Sequence, residues 1–274
     1  GDEGGGGRVV KRLEEAFRAA KKDRRAAFIP YITAGDPDLE TTVELVRGLA
    51  RAGADVIELG VPFSDPMADG PTNQRAAERA LAAGTTLKGV LAAVEIIRRE
   101  LEIPIVLFTY ANPVVRYGVE EFSEDASTAG IDGVLFTDVP AEEMVPFEEK
   151  LSSNGLDLIM LVTPTSDRRR MKAAARFGGG FLYLVSRTGV TGARQDLDAE
   201  LAANVRTAHK ASKMPVAVGF GISTPEQVAR VATLADGVVV GSAIVSRIGA
   251  MGDCEELTEE IERFATELAS ACKK

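Results

Sequence analysis

The stretch Asp55-Val56-Ile57-Glu58-Leu59-Gly60 reads as a short β-strand with a carboxylate in its middle. Side chains alternate along a strand, so Val56, Glu58 and Gly60 share one face while Ile57 and Leu59 share the other. Just before it, Thr41–Ala52 carries apolar residues at three- and four-residue spacing, the pattern of an amphipathic helix. Working outward, further strands are expected at Phe28–Thr33, Ile105–Tyr110, Gly133–Thr137, Leu158–Val162, Phe181–Val185, Val216–Val218 and Gly237–Val240. Helical segments such as Leu87–Glu100 and Pro225–Ala232 separate them. With Asp55–Gly60 the strands number eight. Alternation of strand and helix implies a parallel sheet, and eight such units close into a (β/α)8 barrel, the TIM barrel of the α/β class. An extra N-terminal helix, Val9–Ala20, carries Val9, Val10, Leu13, Ala16 and Phe17 on one face and is expected to cap the bottom of the barrel.

The turns Ala52-Gly53-Ala54-Asp55, Ala129-Gly130-Ile131-Asp132 and Leu234-Ala235-Asp236-Gly237 form a weak internal repeat. They mark where strands begin and carry no function of their own. The composition shows no break along the 274 residues, so a single barrel domain is expected over residues 1–274. The glycine-rich start, residues 1–8, reads as a disordered tail or a cloning remnant.

The formal net charge is −9 and no long basic stripe offsets it, which argues against nucleic acid as a partner. The basic runs Arg168-Arg169-Arg170 and Lys21-Lys22-Asp23-Arg24-Arg25 read as solvated helix ends. Only Cys254 and Cys272 are present, both in the last expected helix. They make neither a disulfide framework nor a metal site, and they suit a reducing, cytoplasmic compartment. No apolar run approaches the roughly 20 residues that span a bilayer, so a membrane is not expected as a partner.

Helices cover the outside of such a barrel, so the Val56–Glu58–Gly60 face should look into the lumen. Active sites of this fold lie at the C-terminal ends of the strands. The only histidine, His209, falls on the helix before strand seven, which excludes a Ser-His-Asp triad and a histidine zinc site. No lysine lies at a strand tip, which argues against Schiff-base chemistry. Carboxylates remain. A lumenal Glu58 needs either a raised pKa or a firm ionic partner, and catalysis is preferred over a structural ion pair because perturbed groups in clefts concentrate at active sites. The loop Pro62–Pro71 adds Asp65 and Asp69, of which one is expected to be an ordinary turn residue. Glycine-rich segments follow strands six, seven and eight: Ser186-Arg187-Thr188-Gly189-Val190-Thr191-Gly192, Gly219-Phe220-Gly221-Ile222-Ser223 and Gly241-Ser242-Ala243. Loops after strands seven and eight commonly hold phosphate in this fold.

At this point the sequence closely resembles the tryptophan synthase α-subunit family. The resemblance rests on Phe28-Ile29-Pro30-Tyr31-Ile32-Thr33-Ala34-Gly35-Asp36-Pro37, on Glu58-Leu59-Gly60-Val61-Pro62-Phe63-Ser64-Asp65-Pro66 and on Asp69-Gly70-Pro71-Thr72. Tyr110-Ala111-Asn112, Asp138-Val139-Pro140 and the glycine-rich segments extend it from about Phe28 to Val245. It implies a lyase that cleaves indole-3-glycerol phosphate to indole and glyceraldehyde 3-phosphate, with Glu58 and Asp69 catalytic. It further implies that Gly192, Gly221, Gly241 and Ser242 bind phosphate. Phe28, Tyr183 and Phe220 would line the indole pocket, with Thr191 near Asp69. Phe108 stands where bacterial members commonly have an aliphatic residue, and it would narrow that pocket. Asp65, Asn112 and Pro140 would face a β subunit in an α2β2 heterotetramer of L-tryptophan biosynthesis. No metal or cofactor is expected in this chain, pyridoxal phosphate belonging to the β subunit. A free-standing lyase, an allosteric phosphate-binding module and a sugar-phosphate isomerase are the alternatives. Intact carboxylates oppose the second, and an aromatic pocket opposes the third.

Overall fold

The computed structural model describes residues 11–166, 168–186, 194–219 and 221–273, with the side chains of all of these except 168–170 and 194–197. Eight strands are present: β1 Ala27–Thr33, β2 Ile57–Gly60, β3 Ile105–Thr109, β4 Gly133–Phe136, β5 Asp157–Val162, β6 Leu182–Val185, β7 Val216–Gly219 and β8 Gly237–Val240. Each pairs in parallel with the next, and β8 pairs with β1 to close the barrel. The first helices are α1 Arg12–Lys22, α2 Leu39–Arg51, α3 Pro71–Ala82, α4 Leu87–Arg98, α5 Ala111–Tyr117 and α6 Val119–Ala129. They are followed by α7 Val145–Ser153, α8 Arg168–Phe177, α9 Arg194–Ser212, α10 Pro225–Ala232, α11 Ser242–Met251 and α12 Leu257–Ser270. Cys254 and Cys272 flank α12 instead of lying within it; Cys254 is exposed and Cys272 buried.

Two apolar layers meet at the strands, one on each face. Ile57, Leu59, Leu107, Val134, Leu158, Leu182, Val218 and Val238 pack outward in the cluster shared with the helices. Ala27, Ile29, Val56, Val106, Leu135, Ile159, Phe181, Tyr183, Ala217 and Val239 pack inward in the lumen. This period-two division confirms that Val56 and Glu58 face inward. It also corrects one expectation. Phe28 is wholly buried in the outer layer against the helices, so it does not line a lumenal pocket; its neighbour two along the inward face from Ile29, Tyr31, does.

The barrel floor is sealed by α1, whose Leu13, Phe17 and Ala20 are buried in the lumenal cluster. The Phe17 and Phe181 ring centroids lie 5.2 Å apart. The expected N-terminal helix is therefore present, although Val9 and Val10, like the tail at residues 1–8, lie outside the described residues.

The three repeated turns have a common structural duty at this floor. Asp55 Oδ2 accepts from the Phe28 N–H at 2.8 Å, Asp132 Oδ2 from Ile105 N–H at 2.9 Å and Asp236 Oδ2 from Val216 N–H at 2.9 Å. Each aspartate just before one strand thus satisfies the backbone of the preceding strand. A basic side chain answers each one: Arg25 binds Asp55 at 2.5 and 2.8 Å, Arg98 binds Asp132 at 2.6 Å, and His209 Nε2 lies 2.9 Å from Asp236. Asp55 is spent on this contact, so β2 begins at Ile57, two residues later than the hydrophobic pattern suggests.

Candidate active site

The C-terminal mouth of the barrel opens into a pocket of about 520 Å³. Glu58 reaches it from β2 and is fully buried, and both carboxyl oxygens lack a hydrogen-bond partner. The ion pair weighed for Glu58 from the sequence is absent, since no cation meets it among the described residues. Burial with nothing to offset it pushes the Glu58 carboxyl up to about 8, so it holds its proton at neutral pH.

Asp69 enters the pocket from the loop after β2. The Tyr110 hydroxyl, at the end of β3, donates to Asp69 Oδ2 at 3.1 Å and accepts from the Ala68 N–H at 3.0 Å. Gln74 Nε2 donates to the carbonyls of Asp69 at 3.0 Å and Pro66 at 3.3 Å, tying the loop to α3. Partial burial raises the Asp69 carboxyl, and the Tyr110 hydrogen bond opposes that rise. Asp65 points elsewhere: it is exposed, accepts from Ser64 Oγ at 3.0 Å and lines a separate shallow groove with Phe63 and Met67. Of the two loop aspartates, only Asp69 belongs to the pocket.

The walls between the carboxylates are aromatic and aliphatic. Tyr31, Phe108, Leu161, Tyr183, Val185 and Val239 line them. Tyr31 and Phe108 meet edge to face, with centroids 5.2 Å apart and planes at 74°. The tyrosine tips fit because two strand ends are glycine. A Cβ at Gly60 would stand 2.1 Å from the Tyr31 hydroxyl, and one at Gly219 would stand 2.1 Å from the Tyr183 hydroxyl.

The far end of the pocket is polar backbone. Gly221, Gly241 and Ser242 line it, and Ser242 opens α11 behind Gly241, with no side chain capping the helix. Uncapped N–H groups at a helix start favour an anion such as phosphate. Gly192, Thr191 and Phe220 lie outside the described residues. Asn112 and Pro140 are exposed; Asn112 lies in the first turn of α5 after β3, Pro140 in the loop after β4 and Asp65 in the loop after β2, and these three strands are neighbours on the rim. Among the described residues no group of three or more His, Cys, Asp or Glu is placed to hold a metal ion, and no single helix is long and apolar enough to cross a membrane.

Sequence reasoning missed Tyr31, Tyr110, Leu161 and Val239. Tyr31 shares the inward face of β1 with Ala27 and Ile29, but that strand is buried on both sides and shows no polar alternation to reveal which face is which. Tyr110 stands in the sequence only as part of a family motif, and its hydroxyl contacts alone disclose its hold on Asp69.

A model of the tryptophan synthase alpha chain family matches residues 17–273. The tryptophan synthase alpha chain of Geobacter sulfurreducens is 51% identical over 262 residues, covering 96% of this chain and 99% of its own. Among solved structures, tryptophan synthase subunit alpha from Legionella pneumophila superposes with a TM-score of 0.88 at 38% identity, covering 96% of this chain and 99% of that one. A chain of Mycobacterium tuberculosis tryptophan synthase superposes with a TM-score of 0.85 at 36% identity, covering 97% and 99%.

Proposed function

The chain belongs to the tryptophan synthase alpha chain family, and we propose that it is a lyase cleaving indole-3-glycerol phosphate to indole and glyceraldehyde 3-phosphate. The observation that carries this reading is Glu58: a protonated, unpartnered carboxyl at the bottom of an aromatic pocket that ends in an anion-binding helix start. Indole leaves poorly as a carbanion. Protonating C3 of the ring makes the ring an electron sink, and a neutral carboxylic acid is the group for that step. Positive charge then develops at the indole nitrogen. Asp69, held by Tyr110, accepts a hydrogen bond from that N–H and stabilises the charge.

The bond from C3 to the first glycerol carbon breaks next, its electron pair returning to the ring to restore indole. The hydroxyl on the departing carbon loses its proton and becomes the aldehyde of glyceraldehyde 3-phosphate. Glu58, left as a carboxylate by the first step, is the base that takes this proton, so the carboxyl ends as it began. Tyr31, Phe108 and Tyr183 clasp the ring, while Gly221, Gly241 and Ser242 bind the phosphate. Gly192 joins the phosphate site and Thr191 and Phe220 join the ring site in this reading, on the strength of the family resemblance.

The partner we assign is a pyridoxal-phosphate-dependent β subunit that receives the indole, in an α2β2 assembly, with no cofactor held by this chain. Asp65, Asn112 and Pro140 are exposed on adjacent rim segments, where a partner would meet the mouth of the barrel. Two free thiols, Cys254 and Cys272, accord with a reducing, cytoplasmic compartment.

Indole release from indole-3-glycerol phosphate tests the reading. General acid–base catalysis typically contributes about 10²–10⁴-fold, so Glu58→Gln should cut release by at least about 10²-fold. Release by the unaltered chain should rise when the β subunit is added. Fast release that ignores the β subunit would instead point to a free-standing lyase, and no release with or without it would overturn the assignment.

A further inference from the structure

Only four buried side-chain nitrogen or oxygen atoms among the described residues lack a hydrogen-bond partner, and three of them belong to residues lining the active-site pocket. Two are the oxygens of Glu58. The third is Oδ1 of Asn73. Buried polar atoms are nearly always paired, so an unpaired one in a pocket wall calls for a reason.

The fold supplies none. Asn73 is the third residue of α3, after the N-cap Gly70. A polar side chain at that position often reaches back to the N-cap backbone, but α3 has no side-chain cap hydrogen bond. Asparagine is also a poorer helix former than leucine or methionine, either of which would fill a pocket wall without an orphaned amide.

The ligand can supply the missing donor, and its chemistry narrows which one. The inference rests on the reaction proposed above. There, Asp69 takes the indole N–H and Glu58 takes the proton of the reacting hydroxyl, while a phosphate dianion offers only acceptors. One donor remains: the second hydroxyl, on the carbon between the reacting carbon and the phosphate-bearing one. Asn73 lies on the wall that leads from Asp69 toward the phosphate end. The wall it belongs to runs from Asp69 through Gly70, Pro71 and Thr72, and α3 packs against α11, whose first residue, Ser242, lines the phosphate end.

We infer that Asn73 is a specificity-determining residue that accepts a hydrogen bond from the non-reacting hydroxyl of the substrate's three-carbon chain. It selects ligands in which an indole and a phosphate are joined by a hydroxylated linker over those joined by a plain one.

The test pairs two ligands with Asn73→Leu, which keeps the side chain's size and removes the amide. One ligand is indole-3-glycerol phosphate, followed by kcat/KM. The other is 3-(indol-3-yl)propyl phosphate, which has the same chain length and neither hydroxyl, followed by its Kd in calorimetry. A neutral hydrogen bond contributes on average about a factor of ten at most, so kcat/KM should fall about tenfold, mainly through KM. The Kd of the propyl phosphate should stay within about twofold, which also shows that the pocket is intact. Asn73→Ala, which only shortens the side chain, gives the same comparison should leucine disturb the wall. Equal weakening of both ligands, or no change in either, would overturn the inference. Failure of the unaltered chain to cleave indole-3-glycerol phosphate would instead sink the proposed reaction itself, whatever Asn73 does.

Discussion

Because nothing among the described residues offsets the burial of Glu58, its carboxyl keeps a proton up to about pH 8, against 4.5 for the free group. That difference is a stability statement as well as a catalytic one. The unfolded chain gives up this proton near pH 4.5 and the folded chain only near 8, so over that window the folded state binds more protons. Its stability therefore falls as pH rises through the window. Glutamine cannot titrate. Urea unfolding at several pH values should accordingly show Glu58→Gln gaining on the unaltered protein from about pH 5 to about pH 8 and levelling off above; a constant difference would mean Glu58 is not desolvated as described. At this scale the sequence is informative about Glu58, because strand alternation and helices outside the barrel leave its side chain one direction to point. It is uninformative about Tyr31 and misleading about Phe28. Both faces of β1 are apolar, and choosing between them requires knowing which residues of β8 and β2 lie alongside. Asn73 is illegible for a related reason: whether an amide finds a partner depends on what the chain brings near it, which no local pattern encodes.

Among the elements, the division of labour runs along the barrel axis. The floor is built for stability, with α1 plugging the lumen and Asp55, Asp132 and Asp236 tying three strand pairs together at their starts. The mouth carries the chemistry. Phe17→Ala should therefore destabilise the protein by about 3–5 kcal/mol, the usual cost of removing a buried aromatic ring. The substrate KM should stay as it was, since Phe17 sits at the opposite end from the pocket; urea unfolding read beside steady-state kinetics separates the two effects. Most elements can be drawn from the sequence, because each strand is a short apolar run between amphipathic helices. Gly237–Val240 and Pro225–Ala232 are found where expected. The exceptions are instructive. Asp55 looks like the first residue of β2 but turns aside to bind Arg25 and the Phe28 N–H. A side chain's commitment to a distant partner overrides local pattern there.

On the scale of the whole molecule, the rim segments after β2, β3 and β4 form one sector of the mouth. Asp65, Asn112 and Pro140 are exposed there, and Met67 is 89% exposed beside Asp65. A large apolar side chain standing free next to an active site is a candidate for burial by a partner. Met67→Asp should weaken association with the β subunit about tenfold or more, the loss expected for an anchor that becomes a buried charge. Isolated-chain release of indole should change little, because Met67 lines the outer groove and not the pocket. Titration of β subunit into the two proteins, with indole release as the readout, checks both halves. The sequence carries the rim positions only through family resemblance, since turn residues and contact residues have the same composition.

The most direct test of the account is the protonation state of Glu58 itself. Carbon-13 NMR of protein labelled at the glutamate carboxyl carbons, with Glu58→Gln used to assign the signal, follows that one group through a pH titration. The account predicts a neutral carboxylic acid at pH 7 that titrates near pH 8. A Glu58 already ionised at pH 7, with a midpoint near its ordinary 4.5, would contradict it and remove the proton donor on which the cleavage depends.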